Sequence, residues 1–238
     1  MNPAVAPLAI ALGTAVSYAV AIPLGIPALV PILNTAPAFP FMIGSLRRGH
    51  VGEAIVRMLI WAATLAVCAT AFSYWSTADA GRVFINGESY RSEMFTYLVT
   101  GVGAEGDIRR FLPQHALHAM VFCGLAFATG SLAAMPMGAI LMNYMGYYAG
   151  ALAAASTRPV VTVGLAWVPW ALVRIASFVV LGVVFAGPVL SRWLGFAYRL
   201  RDQGRWVGLA LGGLALDVLL KWMLAHSWRD MIRNASGW

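Results

Sequence analysis

Charge is missing from two long stretches of this 238-residue chain: no Lys, Arg, Asp or Glu occurs between Met1 and Leu46, and none between Phe111 and Thr157. A third stretch, Pro159 to Ser191, holds a single charged residue, Arg174. Since a hydrocarbon core about 30 Å thick is crossed by roughly 20 apolar residues at 1.5 Å rise, these gaps are long enough for membrane spans, and the second for two of them. Cysteine is scarce as well. Cys68 and Cys123 are the two present, both inside apolar stretches, which excludes a disulfide framework and a CxxC metal or redox site. Lysine occurs once, at Lys221, among sixteen basic residues. No H-E-x-x-H, serine nucleophile elbow or phosphate loop is found, so no enzyme of a familiar class is indicated.

What is present is apolar. The chain is 61% hydrophobic and 11% charged, with a mean hydropathy of +0.76, whereas a soluble domain is about 25% charged. The expected fold class is all-α, a polytopic helical membrane protein with about six transmembrane helices and one transmembrane domain over residues 1–238. The net charge of +7 is carried by arginines in short segments between spans. That is the positive-inside bias of membrane proteins, and it excludes nucleic acid as the expected partner. The expected partners are the lipid bilayer and other membrane-protein subunits. The N-terminus lacks a basic n-region and an A-x-A site, so its apolar segment is expected to be retained as a span. Arginine in place of lysine, with abundant Ala and Gly, suggests a bacterial cytoplasmic (inner) membrane.

The spans are read as follows. The first covers about Val5 to Leu33, kinked by Pro23, Pro27 and Pro31. Thr35 to Leu46, with Pro37 and Pro40, is too short to cross and is expected at the interface. The second runs from about Val51 to Tyr74. The segment at about 76–110 holds five acids and four arginines with glycine breakers and is the one sizeable extramembrane element. Val83 to Ile85 reads as a short strand before an Asn86-Gly87 turn, and Tyr90 to Val99 as a short amphipathic helix. Spans three and four, Phe111 to about Leu132 and Met137 to Ala155, form a hairpin turning at Gly130 and Ser131. Gly146 and Gly150 in the fourth let backbones approach closely. Span five lies within Pro159 to Leu190, interrupted at Pro169 and Gly187, and span six runs from about Trp206 to His226, leaving a basic tail. Six crossings put Arg47/Arg48 and the Arg192 to Arg205 island inside, and segment 76–110 with both termini outside.

Candidate functional residues are those that break the apolar pattern. Arg174 must avoid lipid, since a charge at mid-membrane costs about 2.5 to 3.5 kcal/mol even on insertion scales. It either lines a polar cavity or sits in the first turns after Pro169 and snorkels to the interface. Asp217 and Lys221 stand at i, i+4 on one helical face, and Asp217 reaching Arg174 would lower the cost of both charges. Asn143 is expected to pack by an interhelical hydrogen bond or to line a cavity. His115 and His118, at i, i+3, with His226 at the end of span six on the same side, form a candidate metal or haem site.

From Phe111 to about Gly195 the order of features resembles the membrane proteins related to stage II sporulation protein M. The shared features are a polar entry, a Gly-rich hairpin, the segment Asn143-Tyr144-Met145-Gly146, and a proline-led helix at Val168-Pro169-Trp170-Ala171. What the resemblance implies is architecture. This chain has Trp170-Ala171 and Arg174 where that family tends to show His-Gly and an acidic residue. Three functions are expected in turn: a non-catalytic scaffold subunit of a larger membrane complex, a permease or channel with a polar cavity around Arg174, Asp217 and Lys221, and a haem- or metal-binding redox protein.

Overall fold

In a computed structural model that describes residues 5–237, the chain is α-helical throughout and the described residues contain no strand. The helices are α1 (Val5–Leu24), α2 (Leu29–Thr35), α3 (Phe39–Arg47), α4 (Val51–Trp75), α5 (Thr77–Val83), α6 (Gly87–Thr100), α7 (Ile108–Thr129), α8 (Ala134–Ala154), α9 (Pro159–Ala166), α10 (Pro169–Leu194) and α11 (Gly204–Ser236). Six stretches are long and apolar enough to cross a membrane: α1, α2 with α3 (Leu29–Arg47), α4, α7, α10, and α11 with the 3-10 turn before it (Leu200–Ser236). This is a multi-pass helical membrane protein.

The six are not the expected set. The proline-rich end of the first span breaks rather than kinks, because Gly25 takes a left-handed conformation (φ 65°) right after Leu24. The chain then turns back, and α2–α3 runs antiparallel to α1. Asn34 Nδ2 donates to Ser17 Oγ at 2.8 Å, and Pro37 lies against Gly13. Segment 29–47 is therefore a second arm of a hairpin, not an interfacial piece. Its end is fixed on the start of α4, where buried Arg57 ion-pairs with Glu53 and donates to Ser45 Oγ at 2.6 Å.

Helix α8 (21 residues) is not among the six, and it is the helix most enclosed by protein. It runs parallel to α4 through the same depth, with Gly146 against Ala69 and Gly150 against Thr70 and Ser73. A Cβ at Gly150 would come within 2.7 Å of Ser73 Cβ and 2.8 Å of Tyr74 N, so the two backbones touch only because no side chain is there. A helix surrounded by protein can carry Asn143 and three tyrosines without exposing them to lipid.

With α8, seven segments of the described residues run the length of the bundle. Arg47/Arg48 and the Arg192 to Arg205 island share one end, where a Cβ at Gly52 would lie 3.5 Å from the Trp206 ring. Val5 is at that end too, while α5, α6 and the end of α11 are at the other. The extra pass, segment 29–47, thus corrects the expected placement of the N-terminus beside segment 76–110, whereas the end of α11 lies beside that segment. Val83 ends α5 and Ile85 lies in the turn after it, in place of the expected strand; α6 includes the expected Tyr90 to Val99 helix. Gly187 does not interrupt α10. It makes room for the Tyr198 ring, whose hydroxyl donates to Val184 O at 2.7 Å. The basic tail continues α11 as helix to Ser236.

The close α4–α8 contact gives a stability test. Gly150→Leu is expected to lower the thermal unfolding midpoint in detergent, by the equivalent of about 1–3 kcal/mol or more as the helices are forced apart. Gly124→Leu, at a position with nothing within 4 Å of a Cβ, is expected to leave it near the unsubstituted value.

Candidate functional site

Sequence adjacency does not decide how α7 and α8 pack. Joined by the turn at Gly130 and Ser131, they separate beyond it: α7 lies along α10, and α8 along α4. Ser131 Oγ donates to Gly182 O at 2.7 Å and ties the turn to α10. The splayed hairpin leaves a cavity of about 380 Å³ between α7, α8 and α10, with α6 and the loop before α7 over its end. Most of its wall is apolar, including Met42, Met58, Met135, Met142 and Phe178. At the α6 end it meets a cluster of charge.

Arg174 and Asp217 form the base of that cluster. The guanidinium donates from Nε to Oδ2 and from Nη2 to Oδ1, both at 2.9 Å, in the planar two-bond arrangement that suits arginine and carboxylate. Asp217 is fully buried, and Arg174 keeps 20% of its side chain exposed. Arg174 does not snorkel: it is five residues into α10, about 8 Å below its start, and turns inward to its partner. Its Cζ also lies 4.9 Å from the centroid of the Phe111 ring. His115 stacks on that ring, and its Nε2 comes within 3.4 Å of Asp217 Oδ2 without a hydrogen bond.

One turn further along α11, Lys221 points the same way as Asp217, as i, i+4 spacing requires. Its Nζ donates to Glu105 Oε2 at 2.6 Å and lies 3.4 Å from the Phe111 centroid. Glu105 is not on a span. It belongs to the loop 101–107 between α6 and α7, which leaves α6 through Gly101 in a left-handed conformation (φ 77°). Asp107 ends the loop by accepting the backbone N–H of Arg109 at 2.9 Å, which caps α7. The second oxygen of Glu105 accepts from Trp170 Nε1 at 2.8 Å. Burial pushes the Glu105 carboxyl up, but Lys221 and Arg174 beside it, with the hydrogen bonds from Lys221 and Trp170, outweigh that and hold it below its usual range. Burial next to Glu105 pushes the Tyr97 hydroxyl up to about 12.

The other candidates fall elsewhere. Asn143 does not line the cavity. It accepts from the Tyr18 hydroxyl and donates to Asn34 Oδ1 at 3.0 Å, while Trp61 Nε1 donates to Asn34 O at 2.8 Å. This network joins α1, α2, α4 and α8, the packing role expected of an amide in lipid. His115 and His118 line the cavity, but His226 lines a separate recess of about 210 Å³ on the far side of Lys221. The expected three-histidine metal or haem set is therefore not assembled, and no group of three or more His, Cys, Asp or Glu among the described residues is placed to hold a metal ion. Gly146 and Gly150 pack against α4 as expected. Sequence reasoning did not pair Glu105 with Lys221 and gave Trp170 no role. The signal for Glu105 was the need of Lys221 for a partner that no span could supply; Trp170 gave none.

A buried charge stripped of its partner is worse than no charge at all, which sets a double-substitution test. Asp217→Asn is expected to destabilise the detergent-solubilised protein by about 3–5 kcal/mol, because Arg174 is left unpaired. Arg174→Met with Asp217→Leu is expected to recover most of that loss in thermal unfolding. Comparison of this chain with family models, with curated proteins and with solved structures finds no match.

Proposed function

We propose that this chain is a permease or carrier that takes an amphiphilic small molecule into the cavity between α7, α8 and α10. The observation that supports this reading is one space that combines a methionine-rich apolar wall with a paired, desolvated charge cluster at one end. Ligand sites have this composition, apolar walls with a few fixed polar groups, and volumes of about 300–1,000 Å³. Ionisable residues at membrane depth that face a cavity mark substrate or ion pathways. A scaffold subunit has no comparable support: exposed apolar side chains such as Leu209 and Leu216 of α11 are what any lipid-facing span presents.

For localisation we propose a bacterial cytoplasmic membrane, with the end that carries Arg47/Arg48 and Arg192 to Arg205 in the cytoplasm and α5, α6 and loop 101–107 outside. The arginine islands in short, acid-poor connections at the first end, against arginines mixed with five acids in segment 76–110, support that orientation. Single cysteines replacing Arg201 and Asp79, in a chain with Cys68 and Cys123 changed to alanine, test it with a membrane-impermeant maleimide. In intact spheroplasts the cysteine at 79 is expected to label and that at 201 to stay protected; the reverse pattern inverts the orientation.

The cavity reading is tested by filling the space. A Cβ at Gly138 makes only ordinary contacts, 3.7 Å to Phe122 and 4.0 Å to Trp61, so Gly138→Phe projects a ring into the cavity at little cost to packing. Organic extraction of protein purified in mild detergent is expected to release about one amphiphile per unsubstituted chain beyond bulk lipid, and none from Gly138→Phe. Identical extracts from the two proteins overturn the reading.

A further inference from the structure

Lys221 and Trp170 hold the two oxygens of a carboxylate that no transmembrane helix provides. Glu105 Oε2 accepts from Lys221 Nζ at 2.6 Å and Oε1 from Trp170 Nε1 at 2.8 Å. Both donors sit on spans, fixed by α10–α11 packing, whereas the acceptor arrives on a loop outside them. The neighbouring pair is different in kind. Arg174 and Asp217 are both on spans, and the carboxylate takes two guanidinium bonds.

Charge counting makes the contrast sharper. With Glu105 in place the cluster holds Arg174 and Lys221 against Asp217 and Glu105 and is neutral, as a site at membrane depth requires. With Glu105 withdrawn, Lys221 is an uncompensated cation at the end of an apolar cavity. One added carboxylate restores neutrality. Glu105 and Lys221 also line both the 380 Å³ cavity and the 210 Å³ recess, so their contact is a shared wall and its opening joins the two spaces.

We propose that Lys221 and Trp170 form a receptor for the carboxylate of an amphiphilic ligand, a fatty-acid-like molecule, and that Glu105 is a tethered stand-in for that carboxylate. The proposal rests on the cavity reading above. The ligand head replaces Glu105 at Lys221 Nζ and Trp170 Nε1, and its chain lies along Met135, Met142 and Phe178. Displaced, Glu105 carries loop 101–107 away from the cavity mouth and opens the route to the recess. Glu105 thereby keeps the site closed and neutral when no ligand is present. A carboxylate is favoured over a larger anion because the site offers one donor to each of two oxygens in the arrangement that Glu105 already occupies.

Equilibrium binding of tritiated dodecanoate to the purified full chain, with dodecanol as the neutral probe, tests this. A tethered competitor acts at an effective concentration of about a millimolar, so Glu105→Gln is expected to tighten dodecanoate binding by about tenfold or more and to leave dodecanol binding unchanged. Lys221→Met added to Glu105→Gln is expected to abolish the gain while dodecanol still binds, which also reports that the variant is folded. If dodecanol binds every variant but Glu105→Gln does not favour dodecanoate, the stand-in role fails and the cavity reading stands. If neither probe binds the unsubstituted chain or Glu105→Gln, both readings fail together.

Discussion

The Arg174–Asp217 pair is the interaction on which the rest of the charged end depends. An ionised carboxylate with no exposed surface is tolerable only if its oxygens are taken, and the guanidinium fork takes both. That requirement fixes the register of α10 against α11. Once fixed, the register decides where Lys221 goes: one turn along the same face, toward the end of the bundle. Lysine there cannot reach Asp217, which Arg174 already occupies, and it draws a carboxylate from the nearest connection, loop 101–107. A pairing between two helices thus places a loop.

The other half of the protein is held by different means. Helices α4 and α8 meet through small residues, where dispersion between close backbones supplies the attraction that lipid cannot oppose. Beside them, Tyr18, Asn143, Asn34, Ser17 and Trp61 form a polar network of neutral groups. One half is therefore set by hydrogen bonds and small-residue packing, the other by ion pairs. The cavity lies where the two meet, because α7 follows its ion-paired neighbours α10 and α11 while α8 follows α4. A hairpin whose arms belong to different packing systems has to splay.

The helical class and the positions of the chemistry were legible in the sequence because lipid allows few structures and makes each misplaced charge conspicuous. Arg174, Asp217 and Lys221 stood out for that reason, and i, i+4 spacing placed the last two on one face. The hairpin at Gly130 and Ser131 and the packing role of Gly146 and Gly150 were legible from small residues. The limits of the passes were not. Segment 29–47 was not legible because its first residues read as the end of span one, which left Thr35 to Leu46 too short to cross; Pro40 falls in the first turn of α3, where a missing N–H costs nothing. Glu105 was hidden in a segment with four other acids, none distinguished by spacing. Its role exists only after α6 and α7 bring the loop over Lys221, a relation between elements that no local pattern encodes.

The arginines near the C-terminus conflict with the positive-inside bias on a bare count, and the geometry removes much of the conflict. Arg229 donates from Nε to the carbonyls of Tyr97 and Leu98 and from Nη2 to that of Val99, each at 2.9 Å. Those carbonyls belong to the last turn of α6, where intrahelical partners run out and the helix dipole concentrates negative potential. Tyr97 returns the contact by donating its hydroxyl to Ala225 O at 3.0 Å. Arg229 is in effect the C-terminal cap of another helix, and its charge is matched where it stands. Arg229 is therefore not a free cation, and in net charge the end that holds Arg47, Arg48 and the Arg192 to Arg205 island is the more basic of the two, since five acids offset the arginines of segment 76–110. The same contact anchors the start of loop 101–107, since α6 is clamped to α11 just before the chain turns toward Glu105. Any movement of Glu105 must therefore take place within the loop itself, between that clamp and the Asp107 cap of α7.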